Sequence, residues 1–148
     1  KALIWKRYRK VCKIARGIDE ATPDEQVHEL RIECKKLRYL MEFFAPLFAD
    51  AEVRKLIKAL KKLQDNLGNF NDYSVQQAAL QAQADALAGS ADADTVEIAS
   101  GLGALVTVLH QKQLEERARV TASFAAFDSE ETQAQFRTLF KPEGEAKK

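Results

Sequence analysis

Chain breakers are scarce in this sequence, with three prolines and six glycines among 148 residues. So few interruptions leave room for long helices, and no segment reads as a convincing strand. Cysteine is almost absent too. Cys12 and Cys34 lack CxxC spacing and lie on apolar helix stripes, which excludes a disulfide framework and marks them as small buried hydrophobes in a reducing compartment. The two histidines, His28 and His110, do not form a metal motif: His28-Glu29 opens like HExxH, but position 32 is Ile. There is no glycine-rich phosphate loop, no acidic cluster on one face to hold Mg²⁺, and no nucleophile beside a base. The sequence therefore predicts no enzyme, no metal and no cofactor. No apolar run approaches the roughly 20 residues of a membrane span, and no signal-peptide pattern is present. A cytoplasmic protein without membrane contact is expected.

What is present is charge, unevenly placed. The apolar share is 46% and the charged share 30%, ordinary for a soluble helical domain long enough to bury a core. The formal net charge of +1 conceals an asymmetry. Residues 1–62 carry 16 Lys/Arg against 9 Asp/Glu, whereas residues 63–148 carry 7 against 13. A basic half of this kind points to a polyanionic partner.

Periodicity predicts an all-α protein, an antiparallel helical bundle of about six helices, with residues 1–140 forming one domain and 141–148 a flexible tail. The first helix covers 1–17 and ends at Gly17. Thr22-Pro23-Asp24-Glu25 predicts an N-terminus with Thr22 as N-cap and Glu25 closing a capping box, and that second helix runs to Phe44 before Pro46 stops it. Asp50 is expected to cap a third helix ending at Gly68. Asn71 or Asp72 then caps a fourth to Leu87. A loop is expected over Ala88 to Asp94. A long helix to Phe127 follows, with Gly101 and Gly103 permitting a kink or close packing, and a short helix spans Glu130 to Phe140. The phenylalanines Phe124, Phe127, Phe136 and Phe140 read as core rather than as an apolar docking end.

The most informative segment runs from His28 to Phe44. At about 3.6 residues per turn, His28, Arg31, Lys35 and Arg38 stack on one stripe beside a second stripe of Val27, Leu30, Cys34, Leu37, Met41 and Phe44. A cationic edge next to a core-facing edge lets cations line a wet groove. One cation per turn, about 5 Å apart, follows an extended chain of phosphates, because guanidinium forks and ammonium groups make charge-assisted hydrogen bonds to phosphate oxygens. Lys6, Arg9, Lys13 and Arg16 repeat the spacing in the first helix, and Lys58, Lys61 and Lys62 offer a third row. Solvated helix faces are the plain alternative for each row. His28 fits a phosphate contact, a pH-tuned ligand, or a histidine satisfied by backbone or carboxylate. Tyr39 fits a phosphate hydroxyl contact or simple packing, and Glu42 fits an ion pair one turn after Arg38.

His-x-x-Arg-x-x-x-Lys-x-x-Arg-Tyr followed by an acid and bulky apolar residues, here His28 to Phe44, resembles the CHAD domain, a family named for its histidine and helical make-up. Leu60 to Asp72 is similar to a second block of that family, a Leu-Gly-x-x-Asn/Arg-Asp turn. Together with the helical remainder, the likeness spans about residues 1 to 140. The family has two helical repeats; this chain holds one such block and looks like the C-terminal half. The resemblance implies a non-catalytic binding module for inorganic polyphosphate, with His28, Arg31, Lys35, Arg38, Tyr39, Lys58, Lys61, Lys62, Lys6, Arg9, Lys13 and Arg16 as ligands. It also implies that an N-terminal repeat or a second copy completes the surface. A nucleic-acid binder would use the same cations but would interleave aromatic residues, and the stripe offers only Tyr39. A granule- or partner-binding scaffold would instead use apolar surface.

Overall fold

The computed structural model describes residues 1–48, 50–89 and 92–144, with the Asp50 side chain outside the description. Five α-helices lie among the described residues: α1 (Ala2–Arg16), α2 (Asp24–Phe44), α3 (Asp50–Leu87), α4 (Ala93–Phe127) and α5 (Glu130–Phe140), with a 3₁₀ turn at Ala45–Leu47 after α2. The described residues contain no strand. The chain divides into two compact units, one of Lys1–Leu67 with Val120–Lys148 and the other of Gly68–Arg119.

The first unit is a helical bundle of α1, α2, the start of α3, the end of α4, and α5. The ion pairs Arg7–Glu33 and Lys10–Glu29 set α1 antiparallel to α2. Its core takes Val27, Leu30, Cys34, Leu37 and Met41 from the predicted α2 stripe, whose last member Phe44 is half-buried, together with Ile4, Val11 and Cys12 from α1 and Val53, Leu56, Leu60, Leu63 and Leu67 from α3. Phe124, Phe127, Phe136 and Phe140 are all buried, as core residues. The Tyr8 ring stacks on Phe136 at 3.9 Å between centroids, which ties α1 to α5. The second unit is an antiparallel pair formed by the end of α3 and the start of α4, in which Gln77 donates to Gln113 and faces His110 Nδ1 at 3.2 Å.

Four local expectations give way. The predicted third and fourth helices are one helix, so there are five and not six. Gly68 does not stop α3, and Asn71 and Asp72 lie inside it rather than capping a new helix. A glycine terminates a helix efficiently when it adopts a left-handed conformation, and the only positive-φ glycine among the described residues is Gly144. Burying Leu67 and Phe70 on consecutive turns rewards continuation instead. Thr22 does not cap α2. The residue before the helix is Pro23, with no side-chain cap, and the Thr22 hydroxyl donates to Asp19 Oδ1 at 2.8 Å within its own turn. That local bond outcompetes the helix N–H. Gly101 and Gly103 sit in continuous α4 and have open space where a Cβ would stand, so neither marks a close helix approach. The helix after the expected loop begins at Ala93, within the predicted Ala88–Asp94 stretch. The Asp50 cap, and the tail from residue 145, lie outside the described residues.

Candidate functional site, a set of basic surfaces

The site is best built from α2 outward. Val27, Leu30, Cys34, Leu37 and Met41 are buried. That fixes the rotation of the helix, and the His28 stripe is carried to the flank. His28, Arg31 and Arg38 are half-buried and Lys35 is exposed. Lys35 Nζ lies 5.7 Å and the Arg38 guanidinium 5.2 Å from the centre of the Tyr39 ring, a cation–π grouping on an exposed tyrosine. Glu42 Oε1 receives Arg38 Nε and, from α3, Lys61 Nζ, each at 3.6 Å. The predicted Arg38–Glu42 pair is therefore present, and it brings Lys61 beside the α2 stripe. At 3.6 Å these are ion pairs and not hydrogen bonds. Arg38 Nε is buried without a hydrogen-bond partner, so its guanidinium retains donor capacity.

The first-helix row lies elsewhere on the same unit. A cleft of about 1190 Å³ runs along α1, lined by Lys6, Arg7, Arg9, Lys10, Lys13 and Arg16, by Arg137 of α5, and by Trp5 and Leu40 among its apolar residues. Among the described residues no carboxylate lines it. Arg16 is held by Asp128, with Nη2 at 2.7 Å and Nε at 3.1 Å from Oδ2, and the same carboxylate accepts from the Tyr8 hydroxyl at 3.3 Å. The hydrogen bond from Arg16 to Asp128 raises the Arg16 pKa further. Burial pushes the Tyr8 hydroxyl above its ordinary value and the Cys12 thiol up to about 11, so neither ionises near neutrality. A second cleft, of about 480 Å³, is lined by Lys55, Lys58 and Lys62 of α3 with Ser123, Ala126 and Phe127. Lys58 and Lys62 thus share a wall, whereas Lys61 turns toward α2. The α2 stripe lines neither of these two clefts.

One group was invisible to periodicity. Glu33, only 2% exposed, accepts from Lys10 at 3.1 Å and Lys36 at 3.0 Å as well as from Arg7. Burial opposes its charge, but the bonds from Arg7, Lys36 and Lys10 outweigh it and lower the pKa to about 2. A carboxylate among three cations leaves local positive charge and fixes where Arg7 and Lys10 stand in the cleft wall. Neither was singled out from sequence. An acid on the flank of α2 away from the His28 stripe, facing two α1 cations, would have been the signal, and it requires knowing that α1 and α2 are antiparallel neighbours. Among the described residues no group of three His, Cys, Asp or Glu side chains is arranged to hold a metal, and no helix is long and apolar enough to cross a membrane.

The family model for the CHAD domain matches residues 1–81, more than half of the chain and the part that carries α1, α2 and the lysine rows of α3. A comparison with curated proteins finds no match. The chain belongs to the CHAD domain family.

Proposed function

From membership of the CHAD domain family, we propose that this chain is a non-catalytic binding module for inorganic polyphosphate that works in the cytoplasm, where Cys12 and Cys34 remain thiols. The observation that carries the reading is the cleft along α1, walled, among the described residues, by seven cations and no carboxylate. Repeated phosphates separated by single oxygens need cations at near-regular intervals, and helical rows supply them about every turn. The α2 stripe with Lys61 and the lysines of the smaller cleft provide further rows on the same unit. A second repeat or a second copy would extend the basic surface.

Titration with polyphosphate chains of defined length tests this. Reversing Arg31, Lys35 and Arg38 to Glu should abolish binding in a protein that keeps its helical circular dichroism. Reversing Lys6 and Lys13, which form no ion pair among the described residues, should weaken it. Full affinity in both folded variants would remove the proposal. With about six contacts, each releasing roughly 0.7 ions as on a single nucleic-acid strand, affinity should fall as about the fourth power of salt, and Lys35→Ala should lower that exponent by about 0.7. The half-buried Trp5 in the α1 cleft gives a single-stranded nucleic acid one stacking surface. Competition between polyphosphate and an oligonucleotide separates the two ligands.

A further inference from the structure

The second unit carries an apolar stripe that its own helix pair does not cover. From Ile98 to Gln111 the sequence has no Asp, Glu, Lys or Arg, yet Ile98, Leu105 and Val108 of α4 are 57%, 45% and 52% exposed. The inward side of the same helix is taken by Leu109, Gln113 and Glu116, all buried. The uncovered residues are in register. Asp94, Ile98, Gly101, Leu105, Val108 and Lys112 follow one another at alternating steps of four and three, the spacing of a coiled-coil seam. Val96 and Leu114, also exposed, sit on the opposite flank of the helix.

Read from either end, the stripe answers a β-branched residue with a β-branched one, a leucine with a glycine and an acid with a base. A two-fold axis perpendicular to α4, midway between Gly101 and Leu105, places Ile98 against the partner's Val108. It places Leu105 against the partner's Gly101, where nothing lies within 4 Å of an added Cβ, so a leucine knob has room. It also places Asp94 against the partner's Lys112. Both end residues are exposed, and the Lys112 ammonium is 6.0 Å from the centre of the Tyr73 ring of its own unit. Helices in this packing class approach to about 8–10 Å, which a glycine opposite a leucine favours.

We propose that the chain forms a two-fold dimer through this stripe, with two α4 helices antiparallel and the layers Asp94–Lys112, Ile98–Val108 and Gly101–Leu105 repeated on either side of the axis. The occupant is a second copy because the sign and size of each position are answered by its own mate in the stripe, an isologous match. The stripe lies wholly in the second unit, whereas the basic surfaces belong to the first.

Sedimentation equilibrium on the 148-residue chain should show a concentration-dependent monomer–dimer equilibrium. Leu105→Glu should weaken association about a hundredfold or more, at unchanged helical content. Asp94→Lys and Lys112→Asp should each weaken it, and the double exchange should restore it, because the two sites meet only across the axis. Since these side chains are exposed, folding is not expected to suffer, and the charge exchange tests the register without altering the apolar residues. A chain that stays monomeric up to about 1 mM overturns the proposal. So does a dimer indifferent to Leu105→Glu, or one that the double exchange fails to restore.

Discussion

The two units solve the same problem, packing long helices, with opposite means. In the first unit the buried side chains are large. Leu30, Leu37, Met41, Leu56, Leu60, Phe127, Phe136 and Phe140 are nearly inaccessible, and cross-helix ion pairs such as Arg16–Asp128 and the Glu33 cluster lock α1 against its neighbours. In the second unit the buried apolar residues are Phe70, Ala84 and Leu109, while Val75, Ile98, Leu105 and Val108 remain exposed. Charge divides in the same way. Residues 68–119 hold 3 Lys/Arg against 7 Asp/Glu, so the positive surplus belongs to the first unit. A unit with a dense core can carry a crowded cationic surface, because buried apolar side chains supply much of its stability and carboxylates such as Glu33 hold part of that charge in place. A lightly packed helix pair leaves an apolar flank exposed.

The largest effect should separate the two cores. Leu37→Ala removes a fully buried side chain from the first unit and should cost about 2–5 kcal/mol, whereas Val75→Ala on the exposed flank of α3 should change stability by no more than about 0.5 kcal/mol. Urea unfolding of both variants measures the contrast. Similar losses would mean that the second unit buries more than its exposures indicate. Leu37→Ala should leave the salt exponent of polyphosphate binding unchanged, since Leu37 is fully buried and uncharged.

The next effect concerns the ion cluster. A carboxylate whose folded pKa lies below its ordinary 4.5 contributes stability that is fully present above that value and is lost as pH falls toward about 2. For Glu33 the shift corresponds to about 3 kcal/mol at neutral pH. Part of that is offset by water around the half-exposed Lys10 and Lys36. Glu33→Gln should therefore destabilise the protein by about 2–3 kcal/mol at pH 7, and the gap to the parent should close between pH 4.5 and about 2. A gap that persists at pH 2.5 would assign the loss to packing and not to charge. If Glu33 also sets where Arg7 and Lys10 stand, the variant should bind polyphosphate with altered affinity despite its extra positive charge.

The first unit was far more legible in the sequence than the second, for a physical reason. Apolar side chains on α1, α2 and the start of α3 recur at helical spacing because one face of each is buried, so both the helices and their core stripes could be read directly. The bounds of α5 were legible as well, between the polar turn at Asp128-Ser129 and Lys141-Pro142. Past Leu67 the apolar positions thin into Ala, Gln and Gly, and the pattern gives no sign of which face is inside. A glycine followed by Asn and Asp then reads as punctuation even where the helix continues. The candidate site was legible as rows of cations but not as an arrangement. Spacing placed Lys58, Lys61 and Lys62 in one row, and the fold sends Lys61 to Glu42 and the other two to a separate wall. The Glu33 cluster depends on which helix neighbours which, a property no single helix records.

The smallest effect tests the junction between the units. Gly68 lies inside α3 with negative φ, and an added Cβ would meet nothing within 4 Å. Glycine in a helix interior costs about 1 kcal/mol relative to alanine, through the backbone freedom it loses on folding. Gly68→Ala should therefore raise stability by about 0.4–1 kcal/mol, readable as a higher urea midpoint at unchanged slope. Were Gly68 a left-handed helix stop, as the Leu-Gly-x-x-Asn-Asp spacing predicts, the same substitution would strain the backbone and lower the midpoint. The sign of one small shift thus decides between a continuous α3 and a break. The same variant should leave polyphosphate affinity unchanged, because every cation assigned to binding belongs to the first unit.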